Sequence, residues 1–215
     1  MDVSELNSRF KKLSPEERIA ALYENFSKVL LTSSFGTTSA ILLYLFNKIK
    51  PDQPIHFIDT TYHFQETLDY KEHLTKLFNL KVINVVPEKL KNKFTLEDQT
   101  WLKDPDFCCS INKVEPIEAV KEGQEIWVSG LLGYQNEHRK NLDIFEQKKN
   151  IIKFYPIIDM TKAQVDEYIE THQLPHHPLL DQGYESIGCT HCTQKGQGRI
   201  GRWGDSSKTE CGLHS

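Results

Sequence analysis

Short apolar runs that end in small polar residues recur in this chain, and a segment with a helical pattern follows each of them. Val29–Thr32 is followed by hydroxyl residues, and Ile55–Ile58 is followed by an aspartate. Further strands are predicted over 82–86 and 125–129. The alternation of strand and helix predicts an α/β fold, in which a parallel twisted sheet is flanked by helices.

The turns after these strands carry the first functional signal. In open parallel sheets, ligands bind beyond the carboxyl ends of the strands, where several turns meet at one edge. Backbone N–H groups at the start of the following helices can hold a phosphate or a sulfate. Helix capping is the alternative, because Ser, Thr and Asp commonly serve it. The pattern favours a nucleotide site that contains Ser33, Ser34, Phe35, Gly36, Asp59, Thr60 and Gly130.

The five cysteines divide into one thiol near the C-terminus, Cys211, and two close pairs, Cys108 with Cys109 and Cys189 with Cys192. Four thiolates suffice for a [4Fe–4S] cluster or for a structural zinc ion. Adjacent cysteines strain a tetrahedral site around one ion, whereas each iron of a cluster takes its own ligand. The pattern therefore favours iron–sulfur over zinc, with inert buried cysteines as the remaining alternative. The lone thiol has the position of a nucleophile on a terminal segment.

Length and composition limit the class of protein. With 215 residues and 38% hydrophobic content, the chain can bury one sizeable core. No stretch approaches the roughly 20 apolar residues of a membrane span, and no hydrophobic signal peptide opens the sequence. A net charge of −4 argues against a general nucleic-acid binder. We therefore expect a cytoplasmic protein without a membrane or nucleic-acid partner, whose thiols are reduced.

The C-terminal part of the chain differs from the rest in its glycine and basic content. Arg199 and Arg202 lie there among closely spaced glycines. We expect 1–195 to form a nucleotide- and cluster-binding α/β domain. We expect 196–215 to form an irregular, mobile segment that carries Cys211.

Local signals also predict where some helices begin. Ser14 and Thr161 each open a capping signature, which predicts that a helix follows each of them. The paired cysteines stand directly before a helical pattern over 111–120, which predicts that they lie at a helix start. Residues 87–107 show no regular pattern.

Seven short motifs make the chain resemble the sulfonucleotide reductases of assimilatory sulfate reduction. The resemblance is closest to adenylyl-sulfate (APS) reductases that carry an iron–sulfur cluster, and it extends to relatives that accept the 3′-phosphorylated form (PAPS). It covers most of the chain, from residue 33 to the C-terminus. The motifs are SSFG at 33–36, IDT at 58–60, CCSINKVEP at 108–116, SGL at 129–131, GYESIGCTHCT at 183–193, GRIGRW at 198–203 and ECGLHS at 210–215.

The resemblance implies a fold like that of the adenine-nucleotide alpha-hydrolases, and it assigns roles to individual residues. In that family the two cysteine pairs hold the cluster, and the cysteine of the ECG motif attacks the sulfonucleotide. The basic residue that follows the first cysteine pair and the basic residues of the glycine-rich segment lie near the substrate anion in that family. The implied site comprises the cluster ligands Cys108, Cys109, Cys189 and Cys192, the catalytic residues Cys211, Lys113, Arg199, Arg202 and His214, and Gly130, Leu131 and Arg139 at the substrate.

The implied activity is the reduction of APS to sulfite and AMP through a thiosulfonate on Cys211, in sulfate assimilation and cysteine biosynthesis. Thioredoxin or glutaredoxin would be the reductant. PAPS, whose 3′-phosphate needs a cationic pocket, is the alternative substrate. The motif leaves the choice open, because the family's GLRRxQSxTR is GLLGYQNEHR here, with Leu132 and Gly133 in place of two basic residues. A zinc-stabilised nucleotide-binding protein without reductase activity is the alternative from another class. The sequence leaves assembly into a homo-oligomer open.

Overall fold

A computed structural model describes residues 2–204, 208 and 210–214, and a six-stranded sheet forms its centre. The order of the strands across the sheet is β3-β2-β1-β4-β6-β5, and every neighbouring pair is parallel except β5 with β6. The predicted parallel sheet is therefore confirmed. The strands are β1 (Val29–Thr32), β2 (Ile55–Ile58), β3 (Val82–Val85), β4 (Ile126–Val128), β5 (Phe145–Lys148) and β6 (Ile151–Phe154).

Helices surround this sheet, and none in the described part of the chain is long and apolar enough to cross a membrane. Ser14 and Thr161 each form the predicted capping box, at the starts of α2 and α10. The helices are α1 (Val3–Phe10), α2 (Pro15–Asn25), α3 (Ser39–Ile49), α4 (Gln65–Leu77), α5 (Lys89–Glu97), α6 (Thr100–Lys103), α7 (Pro105–Cys109), α8 (Glu115–Lys121), α9 (Glu137–Lys140) and α10 (Lys162–Thr171).

The two largest apolar clusters of the described residues lie on opposite faces of the sheet. Leu31 of β1 belongs to the larger cluster, together with Phe46 of α3. Leu30, the preceding residue, belongs to the smaller cluster with Trp127, because successive strand residues point to opposite faces. Leu213 packs against that smaller cluster. The C-terminal segment is therefore seated on one face of the sheet.

The paired cysteines lie inside a helical stretch, so the expectation that they lie at a helix start is wrong. The Asp104 carboxylate accepts a hydrogen bond from the Phe107 backbone N–H at 2.9 Å, and Pro105 takes the first helical position of α7. An aspartate before a proline is itself a helix start signal. The chain then continues through a π-helical turn, Ser110–Val114, into α8.

Regular structure is also present where the sequence pattern shows none. Residues 87–107 contain α5 and α6, and Thr95 is the buried residue of α5. Because α5 lacks an apolar stripe, hydrophobic periodicity does not reveal it. The hairpin of β5 and β6 escapes prediction for a related reason, since the buried Lys153 interrupts the apolar run of β6.

The predicted C-terminal segment, 196–215, is irregular in its described part, where it forms turns and bridges that lie outside the sheet. One isolated β-bridge pairs Thr193 with Arg202, and another pairs Tyr184 with Gly196. Residues 205–207, 209 and 215 of this predicted segment lie outside the described residues.

Candidate functional site

A crevice opens at the carboxyl ends of β1, β2 and β4, where the turns after these strands meet. Its empty volume is about 1220 Å³, including its mouth to solvent. A crevice outside the carboxyl ends of parallel strands is where ligands bind in open sheets of this kind. The residues of the three turns that line it as predicted are Ser33, Ser34, Gly36, Thr60, Gly130 and Leu131.

Phe35 anchors the turn after β1, because its ring lies in the core and not in the crevice. Phe35 has φ +49, a conformation that is strained for a residue with a side chain. Its ring is fully buried and meets Phe57 edge-on, with the centroids 5.6 Å apart. Thr38, at the N-cap of α3, makes no capping hydrogen bond with its side chain. The hydroxyl groups of this turn therefore do not act as simple caps of α3.

Two residues of the turn after β2 have different roles. The Asp59 carboxylate accepts from the Thr61 backbone N–H at 2.9 Å, which holds Thr61 at φ +65. Asp59 is not among the residues that line the crevice, so its side chain shapes the turn. Thr60 does line the crevice, and its hydroxyl lies 3.3 Å from Cys189 Sγ. This turn thus connects the nucleotide side of the crevice with the cysteines.

The two cysteine pairs come together beside the crevice. Cys108 and Cys189 are buried in one small apolar cluster, and Cys192 packs against it. Burial and the neighbouring thiols, among them Cys109, raise the pKa of Cys108 to about 12. Burial and the adjacent Cys189 raise the pKa of Cys192 to about 11. As free thiols these groups are protonated at neutral pH, and a metal centre is what would hold them as thiolates.

Backbone contacts and one amide hold the cysteines in place. The Thr190 N–H donates to the Tyr62 carbonyl at 2.7 Å, which ties the CxxC unit to the turn after β2. The Asn112 side chain donates to the Cys108 carbonyl at 2.9 Å. Asn112 is almost fully buried and also donates to Thr95 at 3.0 Å. Asn112 therefore helps to hold Cys108 in place.

Aromatic rings cover the cysteines, and the sequence reasoning missed them. The Trp101 and His191 rings stack with centroids 3.8 Å apart, and the Tyr62 ring meets both nearly edge-on. His191 lies between the cysteines of the CxxC unit, so its place in the motif was a signal that could have been used. Trp101 lies in the segment 87–107, where no pattern pointed to it.

Lys113 links the cysteines to the crevice. It lines the crevice with Cys211 and Cys189. Burial opposes its charge, but Cys189, Cys109 and Cys211, when they are thiolates, outweigh burial and raise the pKa of Lys113 above its ordinary value. An ammonium group whose charge is stabilised by thiolates therefore stands between the paired cysteines and Cys211.

Arg202 reaches the crevice across a glycine. Its guanidinium donates to the Ile187 carbonyl at 3.0 Å, and a Cβ on Gly188 would lie 2.1 Å from Arg202 Nη2. The guanidinium also lies over the Trp203 ring, 4.6 Å from its centroid. Trp203 lines the crevice at φ +57, and it was not among the predicted site residues although it closes the GRIGRW motif.

Arg139 and Arg199, both predicted near the substrate anion, line the crevice and pair with Glu210. Arg139 Nη2 donates to the Glu210 carboxylate at 2.9 Å, and Arg139 Nε donates to its other oxygen. Arg199 Nη2 donates at 3.1 Å. Burial lowers the pKa of Arg199 to about 10, so it is a cation at neutral pH. Glu210 was missed, although it begins the ECG motif.

Further contacts seat the end of the chain after Cys211. The Lys153 ammonium donates to the Leu213 carbonyl at 2.8 Å and lies over the Trp127 ring, 5.0 Å from its centroid. The His214 ring stacks on the same indole, with centroids 5.8 Å apart. Burial, with Lys153 and other cations nearby, holds the pKa of His214 well below its ordinary value. His214 is therefore neutral and acts near an anion only through hydrogen bonds.

The departures in the motif GLLGYQNEHR have a structural reason. Leu132 is fully buried in the larger core. The Gly133 N–H donates to the Ile158 carbonyl at 2.8 Å, and a Cβ on Gly133 would lie 2.8 Å from the same oxygen. Glycine is therefore required at this close approach. Two basic residues of the family motif are thus replaced by residues that pack the turn.

Comparisons with known proteins agree with this site. Residues 28–195 match the phosphoadenosine phosphosulfate reductase domain. The chain is 37% identical, over 90% of its length and 87% of the relative, to an adenosine 5′-phosphosulfate reductase of Bacillus mycoides. It is 33% identical, over 100% of its length and 97% of the relative, to an enzyme of the same name from Halalkalibacterium halodurans.

Solved structures give the same result. The phosphoadenylyl-sulfate (PAPS) reductase of Candida auris, in a phosphate complex, superposes with a TM-score of 0.78 at 28% identity, over 89% of this chain and 95% of that one. The FMN adenylyltransferase of Candida glabrata, with a TM-score of 0.62 and 13% identity over 86% and 62% of the two chains, shares the fold alone. With a family match over most of its length, a crevice at the strand ends and the cysteines beside it, this chain belongs to the phosphoadenosine phosphosulfate reductase family.

Proposed function

We propose that the chain reduces adenosine 5′-phosphosulfate (APS) to sulfite and AMP, with Cys211 as the nucleophile. The observation that carries this proposal is one crevice lined by strand-end turns, by Lys113, Arg199 and Arg202, and by the Cys211 thiol. The names of the relatives support APS as the substrate. Such a reaction belongs to sulfate assimilation in the cytoplasm.

The reaction takes place in two exchanges at sulfur. The Cys211 thiolate attacks the sulfur of APS, the S–O bond to the phosphate breaks, and AMP leaves with both electrons of that bond. Cys211 then carries a thiosulfonate. One thiol of a reduced dithiol protein, such as thioredoxin or glutaredoxin, attacks the Cys211 sulfur and releases sulfite. Its second thiol breaks the mixed disulfide, so Cys211 returns to a thiol and the partner is oxidised by two electrons.

Positive charge makes the first exchange feasible, because an anionic thiolate approaches a group that already carries sulfonate and phosphate charge. Lys113 lies near the thiol, and its charge is stabilised there. Arg202 presents a planar guanidinium that suits bidentate contact with oxyanions. His214 Nδ1 is buried without a hydrogen-bond partner among the described residues, which suits a contact with substrate.

Cys108, Cys109, Cys189 and Cys192 are the residues that would hold a [4Fe–4S] cluster. Within the described ranges, no three His, Cys, Asp or Glu side chains are grouped so as to hold one metal ion. The adjacent Cys108 and Cys109 favour a cluster over zinc, because each iron of a cluster takes a separate thiolate, whereas neighbouring cysteines strain a tetrahedral site around one ion. When bound, the cluster supplies a fixed charge and joins α7 to the CxxC unit.

Cys211 has to meet two reactants in turn, so we propose that its segment within 196–215 moves while 1–195 stays fixed. Cys211 is partly buried against the crevice, where substrate binds. A protein dithiol needs access from outside. Opening of the segment after sulfonation would provide that access.

Steady-state turnover tests the function. Purified protein with APS and reduced thioredoxin should release sulfite and AMP in equal amounts, and Cys211→Ser should release neither. kcat/KM should be higher for APS than for PAPS, because the motif 130–139 lacks two family cations. A higher value for PAPS would establish the alternative substrate, and turnover by Cys211→Ser would refute the role of the thiol.

Metal analysis after anaerobic purification tests the cofactor. We expect a brown protein that contains iron and acid-labile sulfide, and loss of both in Cys189→Ala. A colourless protein with one zinc ion per chain would contradict the cluster.

A further inference from the structure

Glu210, the residue before the nucleophile, is buried against two cations of the substrate crevice. Its side chain is 4% exposed. It lies between Arg139 and Arg199, two of the three arginines for which a role at the substrate anion was predicted. The Asn136 amide donates a further hydrogen bond to it at 2.9 Å. A carboxylate of the protein thus occupies an anion site that faces the crevice.

Arg139 cannot bind a second oxyanion in the same way while this contact exists. Its Nε and Nη2 atoms donate to the two oxygens of Glu210, and its Nη1 atom donates to the Gln135 side chain. The edge of a guanidinium that takes a carboxylate bidentately is the edge that takes a phosphate or sulfate bidentately. Glu210 and an anionic ligand are therefore competitors for Arg139.

The charge of Glu210 supports this competition. Burial would favour its neutral form, but hydrogen bonds and charge from Arg139, followed by charge from Arg199, outweigh burial and lower its pKa. The side chain is therefore an anion at neutral pH. A neutral group would not substitute for a ligand anion here.

We propose that Glu210 is an internal anion that occupies the substrate's anion site in the ligand-free protein, so that an adenylated sulfate has to displace its carboxylate from Arg139 and Arg199. The identity of this ligand rests on the function proposed above. Displacement of Glu210 would free the chain on the N-terminal side of Cys211 only. The contacts of Leu213 with Lys153 and of His214 with His138 hold the chain on the other side.

Glu210→Gln separates competition from simple support, because glutamine keeps the size of the side chain and removes its charge. In a Cys211→Ser background, which prevents turnover, Glu210→Gln should lower the Kd for APS about tenfold in isothermal titration calorimetry. Removal of an occupied competing state raises apparent affinity. An unchanged or higher Kd would overturn the proposal.

Thiol accessibility tests the same contact without APS. In the ligand-free holoprotein, alkylation of Cys211 by iodoacetamide, followed by peptide mass analysis, should be about tenfold faster in Glu210→Gln than in the unchanged protein. An equal rate would show that Glu210 does not hold the segment. If Cys211→Ser fails to bind APS at all, the proposed function fails, while the alkylation rates still decide the role of Glu210.

Two further variants make the test specific. Arg139→Gln should also speed alkylation but should weaken APS binding, so the two variants should move Kd in opposite directions. Asp159→Asn is the matched control, since Asp159 pairs bidentately with the buried Arg18 at 2.6 Å, outside the residues that line the crevice. It should change neither quantity. Weaker APS binding in both Glu210→Gln and Arg139→Gln would mean that Glu210 only supports the site.

Discussion

The two sides of the crevice are built by different physical means. The strand-end side stands on Leu31, Phe57 and Val128, which are fully buried apolar residues of the sheet. The C-terminal side is held by polar contacts, chiefly those of Glu210 and of the Leu213 carbonyl. Apolar packing fixes a wall permanently, whereas an ion pair can exchange one partner for a ligand. The difference suits a fixed nucleotide site and a nucleophile that has to meet two reactants.

The largest effect on turnover is expected where the glycine-rich loop folds back on itself. A Cβ on Gly201 would lie 2.1 Å from the Gln194 carbonyl oxygen, which is backbone and cannot swing away. Gly201→Ala should therefore displace Arg199 and Arg202 and lower kcat/KM for APS by about a hundredfold or more, which is the scale of misplaced catalytic groups.

Gly123→Ala is the control variant for Gly201→Ala. Gly123 has φ +76 and open space around its Cβ position, away from the crevice. Gly123→Ala should cost about 1 kcal/mol of stability and leave turnover unchanged. Equal activity of the Gly201 and Gly123 variants, measured at a temperature where both are folded, would contradict the importance of the loop.

A smaller effect is expected at Gly188, where the obstacle is a side chain. Gly188→Ala should push the Arg202 guanidinium off its present position while the backbone stays in place. We expect about a tenfold lower kcat/KM for APS, and a change in the free energy of unfolding of less than about 1 kcal/mol. Unchanged kinetics would show that Arg202 does not act from this position.

On the fixed side no effect on turnover is expected, but stability should depend on pH through His177. His177 is fully buried, accepts the Leu179 N–H at Nδ1 and lies 3.1 Å from the Thr67 hydroxyl through Nε2. Burial lowers its pKa to about 4. Between pH 6.5 and 4 the unfolded chain binds more protons at this histidine than the folded chain does. The free energy of unfolding should therefore decrease by about 1–3 kcal/mol as the pH is lowered from 6.5 to 4.

Chemical denaturation across that pH range checks this dependence. His177→Gln should remove most of the loss relative to the unchanged protein, and the exposed His73→Gln should not. Parallel curves for the unchanged protein and His177→Gln would mean that His177 is not the titrating group.

The fixed side of the crevice could be predicted from the sequence because its pattern is local. The strands β1 and β2, and the hydroxyl residues after them, are adjacent in the chain, and the topology of a parallel sheet brings their ends together. Phe35 was the exception, since nothing local shows that its ring enters the core. The capping boxes at Ser14 and Thr161 were predictable for the same reason of proximity.

The C-terminal side could be predicted only in part. The motifs located Cys211, Arg199 and Arg202, but the partner of Glu210 is Arg139, 71 residues away. No periodicity encodes a contact over that distance. The buried Lys153 illustrates the same limit, because a lysine in a strand pattern suggests an edge exposed to solvent and not a contact with the end of the chain.

Intact-mass analysis shows whether Cys211 accepts the sulfonate group of APS. The protein is mixed with APS without any thiol donor, and then digested to locate the modification. We predict an added mass of one SO₃ group on the peptide that carries Cys211, its absence in Cys211→Ser, and its loss when reduced thioredoxin is added. No adduct, or an adduct on any other cysteine, would mean that Cys211 is not the nucleophile.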